Sequence, residues 1–271
     1  MLLMQAVLVG IFSYLGAIQT PWAGGITGGY YILGRPLVAG LICGLIFGDV
    51  TEGVILGVAV QAAFIANVST GGSTNSEIVF ASYGGIGLAM VSHASTGVAV
   101  SLSVLVGSLG LVLYNVIMVE NSFWNSRALK AAIKGDAKGM FRNHVVGAQI
   151  ASFAIRAIPT AIAIYFGKPV VNAILNNVPS QVIHMMDVLG GLLPALGVAL
   201  LMNLLMSNKF HFIYFFVGFI FFEFISNSMI ALAVVAALVA YIVYMASGSK
   251  DDHSNDKKQD VDSDLDDDGV I

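Results

Sequence analysis

The chain has 271 residues, of which 57% are hydrophobic and 10% are charged, and its mean hydropathy is +0.86. A chain of this size cannot fold so much apolar surface away from water, so the composition excludes a water-soluble globular protein and predicts one embedded in a lipid bilayer. The formal net charge of −4 is misleading, because nine acidic residues lie at 251–268 and basic residues outnumber acidic ones before them. The sequence has no basic stripe typical of nucleic-acid binding.

The first predicted element is the apolar run at 2–18. It lacks the basic n-region of a secretory signal and continues into more apolar sequence, so we interpret it as retained structure. From there to about residue 95, glycine and polar residues interrupt every apolar run, and the run at 37–48 has only about a dozen residues. A spanning helix needs roughly 20 apolar residues, so these segments predict re-entrant or broken helices that line a transport site.

Glycines recur at every fourth position in two of these segments, at Gly40 and Gly44 and again at Gly53 and Gly57. On a helix this spacing forms one stripe of small residues, which lets two backbones approach closely. Close packing alone explains the pattern. Cys43, the single cysteine, lies in an apolar run and is predicted to be a packing residue rather than a reactive thiol.

The stretch 61–77 follows, and nine of its side chains can form hydrogen bonds. Burying such groups without partners costs about 1–3 kcal/mol each, so within a membrane they are satisfied by one another, by water or by a polyhydroxylated ligand. Amides, hydroxyls and one carboxylate suit a neutral sugar, because Gln61 and Glu77 can each hold two sugar hydroxyls. An exposed loop capped by Ser and Asn is the alternative interpretation.

The rest of the chain predicts five transmembrane helices, at 98–119, 144–166, 182–206, 210–225 and 229–245. The loop 121–143 between the first two holds five of the twelve basic residues, so the positive-inside rule predicts that it is cytoplasmic. The remaining connections then follow: an outer loop at 167–181, an inner turn at 207–209, an outer turn at 226–228 and a cytoplasmic C-terminus.

Part of the basic loop, 127–142, also has the spacing of an amphipathic helix, with Leu129, Ile133, Met140 and Phe141 set among the cationic residues. Anchoring to anionic lipid and docking of a cytoplasmic partner are both compatible with such a face. The acidic segment 248–271 has almost no large apolar residues and is predicted to be a disordered tail after a membrane domain at 1–247.

Arg156 lies well inside a predicted span, where an arginine is costly and commonly functional. The acids available as its partner are Glu120, Asp187 and Glu223.

Other charged and nucleophilic residues give weaker signals. Asp49 and Glu52 flank a turn, where a solvated loop is favoured over a proton site. The histidines lack metal-ligand spacing, so we predict neither a metal site nor a cofactor. The sequence contains neither a Walker loop nor a phosphoryl-accepting Cys or His in a basic loop, so the chain is not expected to be catalytic alone. Its energy source would be partner proteins or an ion gradient.

The run 34–61 resembles the IIC subunit of the mannose/fructose/sorbose family of the bacterial phosphoenolpyruvate-dependent sugar phosphotransferase system. The residues that carry the resemblance are GRPLVAG at 34–40, GLIFGD at 44–49, GVILG at 53–57 and Gln61. The layout is similar too, with an N-terminal motif region, a basic middle loop and a hydrophobic C-terminal half. The predicted fold class is an all-α polytopic membrane protein with re-entrant or broken N-terminal helices, about five transmembrane helices and a cytoplasmic C-terminal tail.

The resemblance implies a multi-pass subunit of the bacterial inner membrane that imports a hexose or related sugar. It would pair with a IID subunit in an oligomer and work with soluble IIA and IIB proteins, of which IIB passes a phosphoryl group to the sugar. The family usually has Pro-Asp where Ser-Glu stands at 76–77, so the carboxylate here is one methylene longer. An ion-coupled sugar or solute carrier is the alternative function. The implied sugar-binding residues are Gln61, Asn67, Ser69, Gly72 and Glu77.

Overall fold

The structure is a computed structural model that describes residues 1–18, 20–67, 76–177, 179–206, 212–225 and 228–245. Within these ranges the regular elements are helices, and none is a strand. The chain divides into two compact units, Met1–Leu204 and Leu205–Ile271. The predicted inner turn at 207–209 and the acidic segment 248–271 lie outside the described residues, as do two of the three residues of the predicted outer turn.

The first unit contains most of the helices. Its α-helices are α1 (Leu2–Leu15), α2 (Pro36–Phe47), α3 (Val50–Ala63), α4 (Ile86–Ser92), α5 (Thr96–Ile133), α6 (Ala137–Phe141), α7 (Ala148–Asn177) and α8 (Ser180–Leu205). Its π-helical segments are Ile26–Leu33, Phe80–Gly85, which runs into α4, and Arg142–Gly147, which runs into α7. The second unit contains α9 (Phe212–Ile220), the π-helical segment Phe221–Ile225 and α10 (Met229–Met245).

Three described stretches are long and apolar enough to cross a bilayer: Thr96–Ile133, Ala137–Gly167 and Ser180–Leu205. A fourth candidate combines Ile26–Leu33 with α2, and it is bent by 75°. The helices α1 and α3 and the stretch Phe80–Ser92 are apolar but shorter than a simple span requires. The prediction of broken and re-entrant helices in the N-terminal third is therefore confirmed.

Two segments predicted as loops between spans are largely helical, although for 127–142 the sequence also predicted an amphipathic helix. α5 continues through the first half of the basic loop to Ile133, because residues 121–134 contain neither Gly nor Pro to end a helix. Gly135, with φ +70°, makes the turn into α6. The predicted outer loop at 167–181 is also wrong, because α7 runs to Asn177 with Pro169 inside it. Proline is tolerated in membrane helices, where neighbouring groups satisfy the freed backbone carbonyl.

The helices α2 and α3 form a tight antiparallel hairpin along the predicted glycine stripe. A Cβ atom placed on Gly40 would lie 2.7 Å from the Cα of Gly57, and one on Gly53 would lie 2.7 Å from the Cα of Gly44. Real Cβ atoms do not approach so closely, so only glycine permits this packing. The turn between the helices uses Gly48 at φ +89°, a left-handed conformation that favours glycine.

The core of the first unit lies where α1, α4, α5 and α7 meet around the segment Phe80–Gly85. Gly10 of α1 packs against the backbone of Ala157 in α7, so these two helices lie in close contact. Fully buried apolar side chains, including Val9, Ile86 and Ile164, fill the space between them. Cys43 is also fully buried, as its packing role predicts.

Candidate functional site

A buried ion pair fixes one end of the predicted sugar-binding stretch. The guanidinium of Arg156 on α7 donates from Nη2 to Oε1 of Glu77 at 3.0 Å. Arg156 is 0% exposed and Glu77 is 4% exposed. Burial strengthens the attraction between the two charges and removes their hydration, so each residue needs the other as its partner at this position.

Glu77 is held by two further hydrogen bonds. Its Oε2 accepts from the backbone N–H of Phe80 at 2.7 Å, which anchors the start of the π-helical segment Phe80–Gly85. Its own N–H donates to the carbonyl of Gly107 on α5 at 3.0 Å. The two carboxylate oxygens therefore each accept at least one bond, but an ionised carboxylate offers about four acceptor positions, so capacity for a ligand hydroxyl remains.

The structure places Asn67 beside this anchor. The amide of Asn67 donates to the carbonyl of Ser76 at 3.4 Å, which brings the residues before and after 68–75 together. Gln61 lies in the last turn of α3 and is half-buried, and its side-chain amide forms no hydrogen bond to another described residue. Ser69 and Gly72 lie outside the described residues. The described part of the stretch thus presents two amides and one carboxylate near the end of α3.

The broken backbone at Leu33–Gly34 lies against the segment that follows Glu77. The Tyr83 hydroxyl donates to the carbonyl of Leu33 at 2.7 Å. The Ser82 hydroxyl donates to the carbonyl of Ile78 at 2.6 Å and lies 3.2 Å from the carbonyl of Gly34. The carbonyls of Leu33 and Gly34 lie at the helix break, where no continuing helix can satisfy them. The Tyr83 side chain therefore replaces the missing backbone partner at Leu33, which supports an irregular backbone inside the membrane region.

A row of polar residues runs along one face of α7 through Arg156. Spacings of three and four residues place the members of this row on one side of a helix. Ser152, Arg156 and Thr160 are each at least 98% buried. The partners along the row are Tyr14 for Gln149 at 2.7 Å, Glu120 for Ser152 at 3.4 Å, Glu77 for Arg156 at 3.0 Å and Ser13 for Thr160 at 3.3 Å.

The sequence offers three acids as partners of Arg156 without selecting one, and the structure pairs Arg156 with Glu77, which was not among them. Glu120 accepts from Ser152, and Asp187 on α8 accepts from Ser95 instead. Glu223 lies in the second unit, within Phe221–Ile225. Glu77 was predicted as a sugar ligand or, in an ion-coupled carrier, as part of a proton path, because the sequence alone gives no sign that residues 79 positions apart share one buried site.

Two other charged residues of the N-terminal third, Asp49 and Arg35, have structural roles. The carboxylate of Asp49 caps the N-terminus of α3 by accepting from the N–H of Glu52 at 2.9 Å, as expected in a turn. Arg35 stacks over the rings of Tyr30 and Tyr31, at 5.6 and 5.4 Å from their centroids. Across the described residues, no group of three or more His, Cys, Asp or Glu is arranged to hold a metal ion.

The geometry defines a class of protein: a helical membrane protein whose broken N-terminal helices support a buried, charge-balanced polar site, the arrangement found in membrane transporters. The family model described as "PTS system sorbose-specific iic component" matches residues 3–242. The chain belongs to this family of IIC components of the phosphotransferase system.

Relatives and solved structures agree with this assignment. The chain is 23% identical over 213 residues to the mannose-specific EIIC component of Escherichia coli K12, covering 79% of this chain and 80% of the relative. It is 24% identical over 242 residues to the fructose permease IIC component of Bacillus subtilis, covering 89% of this chain and 84% of the relative.

Two solved structures share the fold. One, titled "Structure of membrane protein", has a TM-score of 0.76 at 24% identity and covers 89% of this chain and 95% of its own. The mannose transporter ManYZ in complex with microcin E492 has a TM-score of 0.54 at 22% identity, covering 90% of this chain and 94% of its own.

Proposed function

We propose that the chain is the sugar-binding and translocating IIC subunit of a phosphotransferase system and imports a neutral hexose or related sugar. The observation that carries the proposal is the buried Glu77–Arg156 pair, which tethers the polar stretch 61–77 among broken membrane helices. Paired charges leave the site electrically balanced, which suits a neutral ligand better than an ion. Relatives named for mannose, sorbose, fructose and N-acetylgalactosamine support a sugar as the ligand class.

The proposed sugar site comprises Gln61, Asn67, Ser69, Gly72 and Glu77. Gln61 supports this assignment because its amide has no hydrogen-bond partner among the described residues and lies at the end of α3 that leads into the stretch. A free amide can donate to one sugar hydroxyl and accept from another. In this proposal Glu77 contributes its remaining acceptor positions, while Arg156 holds its carboxylate in place.

The proposed assembly includes a IID membrane subunit and soluble IIA and IIB phosphoryl carriers. IIB would phosphorylate the sugar on the cytoplasmic side, which we assign to the basic hairpin, residues 121–143. This assignment rests on the positive-inside rule, since five of the twelve basic residues lie there. The C-terminus would then also be cytoplasmic.

The experiment is uptake of radiolabelled sugar by cells that express the chain with its partner subunits. Replacing Gln61 with Ala should reduce uptake by roughly tenfold or more, the effect of losing one or two hydrogen bonds to the ligand. Gln181→Ala is the matched control, because this glutamine is exposed at the start of α8. Wild-type uptake by a normally inserted Gln61→Ala protein would refute the site.

A further inference from the structure

A polar cleft of about 570 Å³ lies between α5 and the start of α7, at the base of the basic hairpin. Its size falls in the range of small-molecule binding pockets, about 300–1,000 Å³. None of the residues discussed as the sugar site lines it. The polar and aromatic side chains that do are Asn121, Ser122, Trp124, Asn125, His144 and Gln149.

The lining of the cleft is polar but nearly uncharged. Among its described residues none is Lys, Arg, Asp or Glu, and His144 is its one imidazole. The side chains of Asn121, Ser122 and Asn125 form no hydrogen bond to another described residue. Since Asn121 and Asn125 are four positions apart on α5, they share one face and can bind the same molecule.

Trp124 gives the cleft a fixed aromatic wall. A Cβ atom on Gly147 would lie 2.5 Å from Cζ3 of the indole, so the ring packs directly against the backbone that leads into α7. Glycine at this position leaves room for the ring. An aromatic face beside amides and a hydroxyl is chemically suited to a sugar, whose C–H faces are apolar and whose hydroxyls both donate and accept.

The cleft is connected to the proposed sugar site by the polar row of α7. Gln149 lies in the cleft, and Arg156, seven residues further along the helix, binds Glu77. Seven residues of α-helix span about 10 Å. Ser152 and its partner Glu120 occupy the space between these two residues.

We propose that this cleft is a second sugar-binding subsite, which takes a neutral sugar at the hairpin end of the molecule. The proposal rests on the proposed function for its ligand class. If the hairpin is cytoplasmic, a sugar in this subsite has already passed the Glu77–Arg156 pair and is near the aqueous face where it is phosphorylated.

The cleft carries its own spectroscopic reporter, because the chain has only two tryptophans, Trp22 and Trp124. Trp22 is 51% exposed, but its indole N–H donates to the Tyr14 hydroxyl at 3.0 Å, so an unchanged melting temperature is required of Trp22→Phe. In that variant the remaining tryptophan emission comes from the cleft. The purified variant is titrated with D-mannose, D-fructose, L-sorbose and N-acetyl-D-galactosamine in turn. At least one of these sugars should produce a saturable change in Trp124 emission.

A second set of variants separates the subsite from the proposed sugar site. Adding Gln61→Ala to the Trp22→Phe protein should leave the change in emission in place, because the cleft binds independently. Adding Asn121→Ala and Asn125→Ala to the Trp22→Phe protein should raise the apparent Kd for the sugar by roughly tenfold or more. These asparagines lie at the cleft surface, so an unchanged melting temperature should accompany the loss.

Three results would overturn the subsite: no saturable change with any of the four sugars, a change that Gln61→Ala abolishes, or a change that survives the loss of both asparagines. None of them bears on uptake by the Gln61→Ala protein. The subsite can therefore fail while the proposed function stands, and the uptake experiment tests that function separately.

Discussion

Arg156 on α7 and Glu77 at the end of the polar stretch form an ion pair that is closed off from solvent. Removing one partner of such a pair leaves an uncompensated buried charge, which costs about 3–5 kcal/mol. We expect Arg156→Ala to lower the melting temperature strongly in detergent. Arg127→Ala is the control, because Arg127 is exposed and stacks on Phe123. Equal melting temperatures for the two variants would contradict a stabilising role for the pair.

A double replacement tests whether the loss of stability in Arg156→Ala comes from the buried Glu77 charge that is left without a partner. Glu77→Gln combined with Arg156→Met removes both charges and keeps the side-chain lengths similar. We expect this protein to melt above Arg156→Ala, because no buried charge is left without its partner. A double variant less stable than Arg156→Ala would show that each residue acts separately.

The glycine packing of the α2–α3 hairpin predicts a second stability effect. Gly40→Ala would place a methyl group 2.7 Å from the Cα of Gly57, so the helices must separate. We expect a lower melting temperature and reduced sugar uptake. Gly191→Ala is the matched control, since a Cβ at this position of α8 meets no atom within 4 Å and alanine favours a helix. Similar losses in both variants would count against close packing as the cause.

The helix break at Leu33 predicts an effect of a single hydroxyl. Tyr83→Phe removes the donor to the Leu33 carbonyl, and an unsatisfied buried carbonyl costs about 1–3 kcal/mol. The melting temperature should fall. Tyr31→Phe makes the same chemical change at a residue that is 55% exposed, so it should have little effect. If Tyr83→Phe melts like the wild type, the hydroxyl does not support the break.

The positions of Thr51 and Ser126 predict labelling from opposite sides of the membrane. Thr51 lies two residues after Asp49, and Asp49 lines one cavity together with His93. α5 begins at Thr96, three residues after His93, and Ser126 lies on the same helix 30 residues after Thr96. That distance is about 45 Å, more than the thickness of the hydrocarbon core.

In a Cys43→Ala background, an impermeant maleimide should therefore label Thr51→Cys from outside intact cells and Ser126→Cys only after permeabilisation. Both positions are exposed, so reactivity reports sidedness. Labelling of both cysteines in intact cells would contradict the crossing, and the reverse pattern would invert the proposed orientation.

Sequence patterns predicted those structural features that depend on residues close together in the chain. The glycine spacing at Gly40 and Gly44, and again at Gly53 and Gly57, correctly indicated close helix packing, since a four-residue spacing places small residues on one helix face. Helix ends were less predictable. Gly167 and Pro169 resemble a helix end, but α7 continues past them because a membrane environment favours satisfied backbone bonds over a helix stop.

The sequence predicted which residues the site contains but not which of them contact each other. Hydrogen-bonding residues at 61–77 and a costly Arg156 were both visible in the sequence. Their association was not, because it requires α7 to lie beside residues 79 positions earlier. Ser152 and Thr160 were missed as well, although their spacing around Arg156 follows the helical period and could have revealed the polar row.

The polar row of α7 has four members with partners at Tyr14, Glu120, Glu77 and Ser13. A turn of α7 about its own axis by one residue, roughly 100°, would break all four contacts together. These contacts thus oppose rotation of α7 about its own axis relative to α1 and the polar stretch. Rotation of α7 would therefore lose all four contacts at once, whereas movement of α7 together with its partners would keep them.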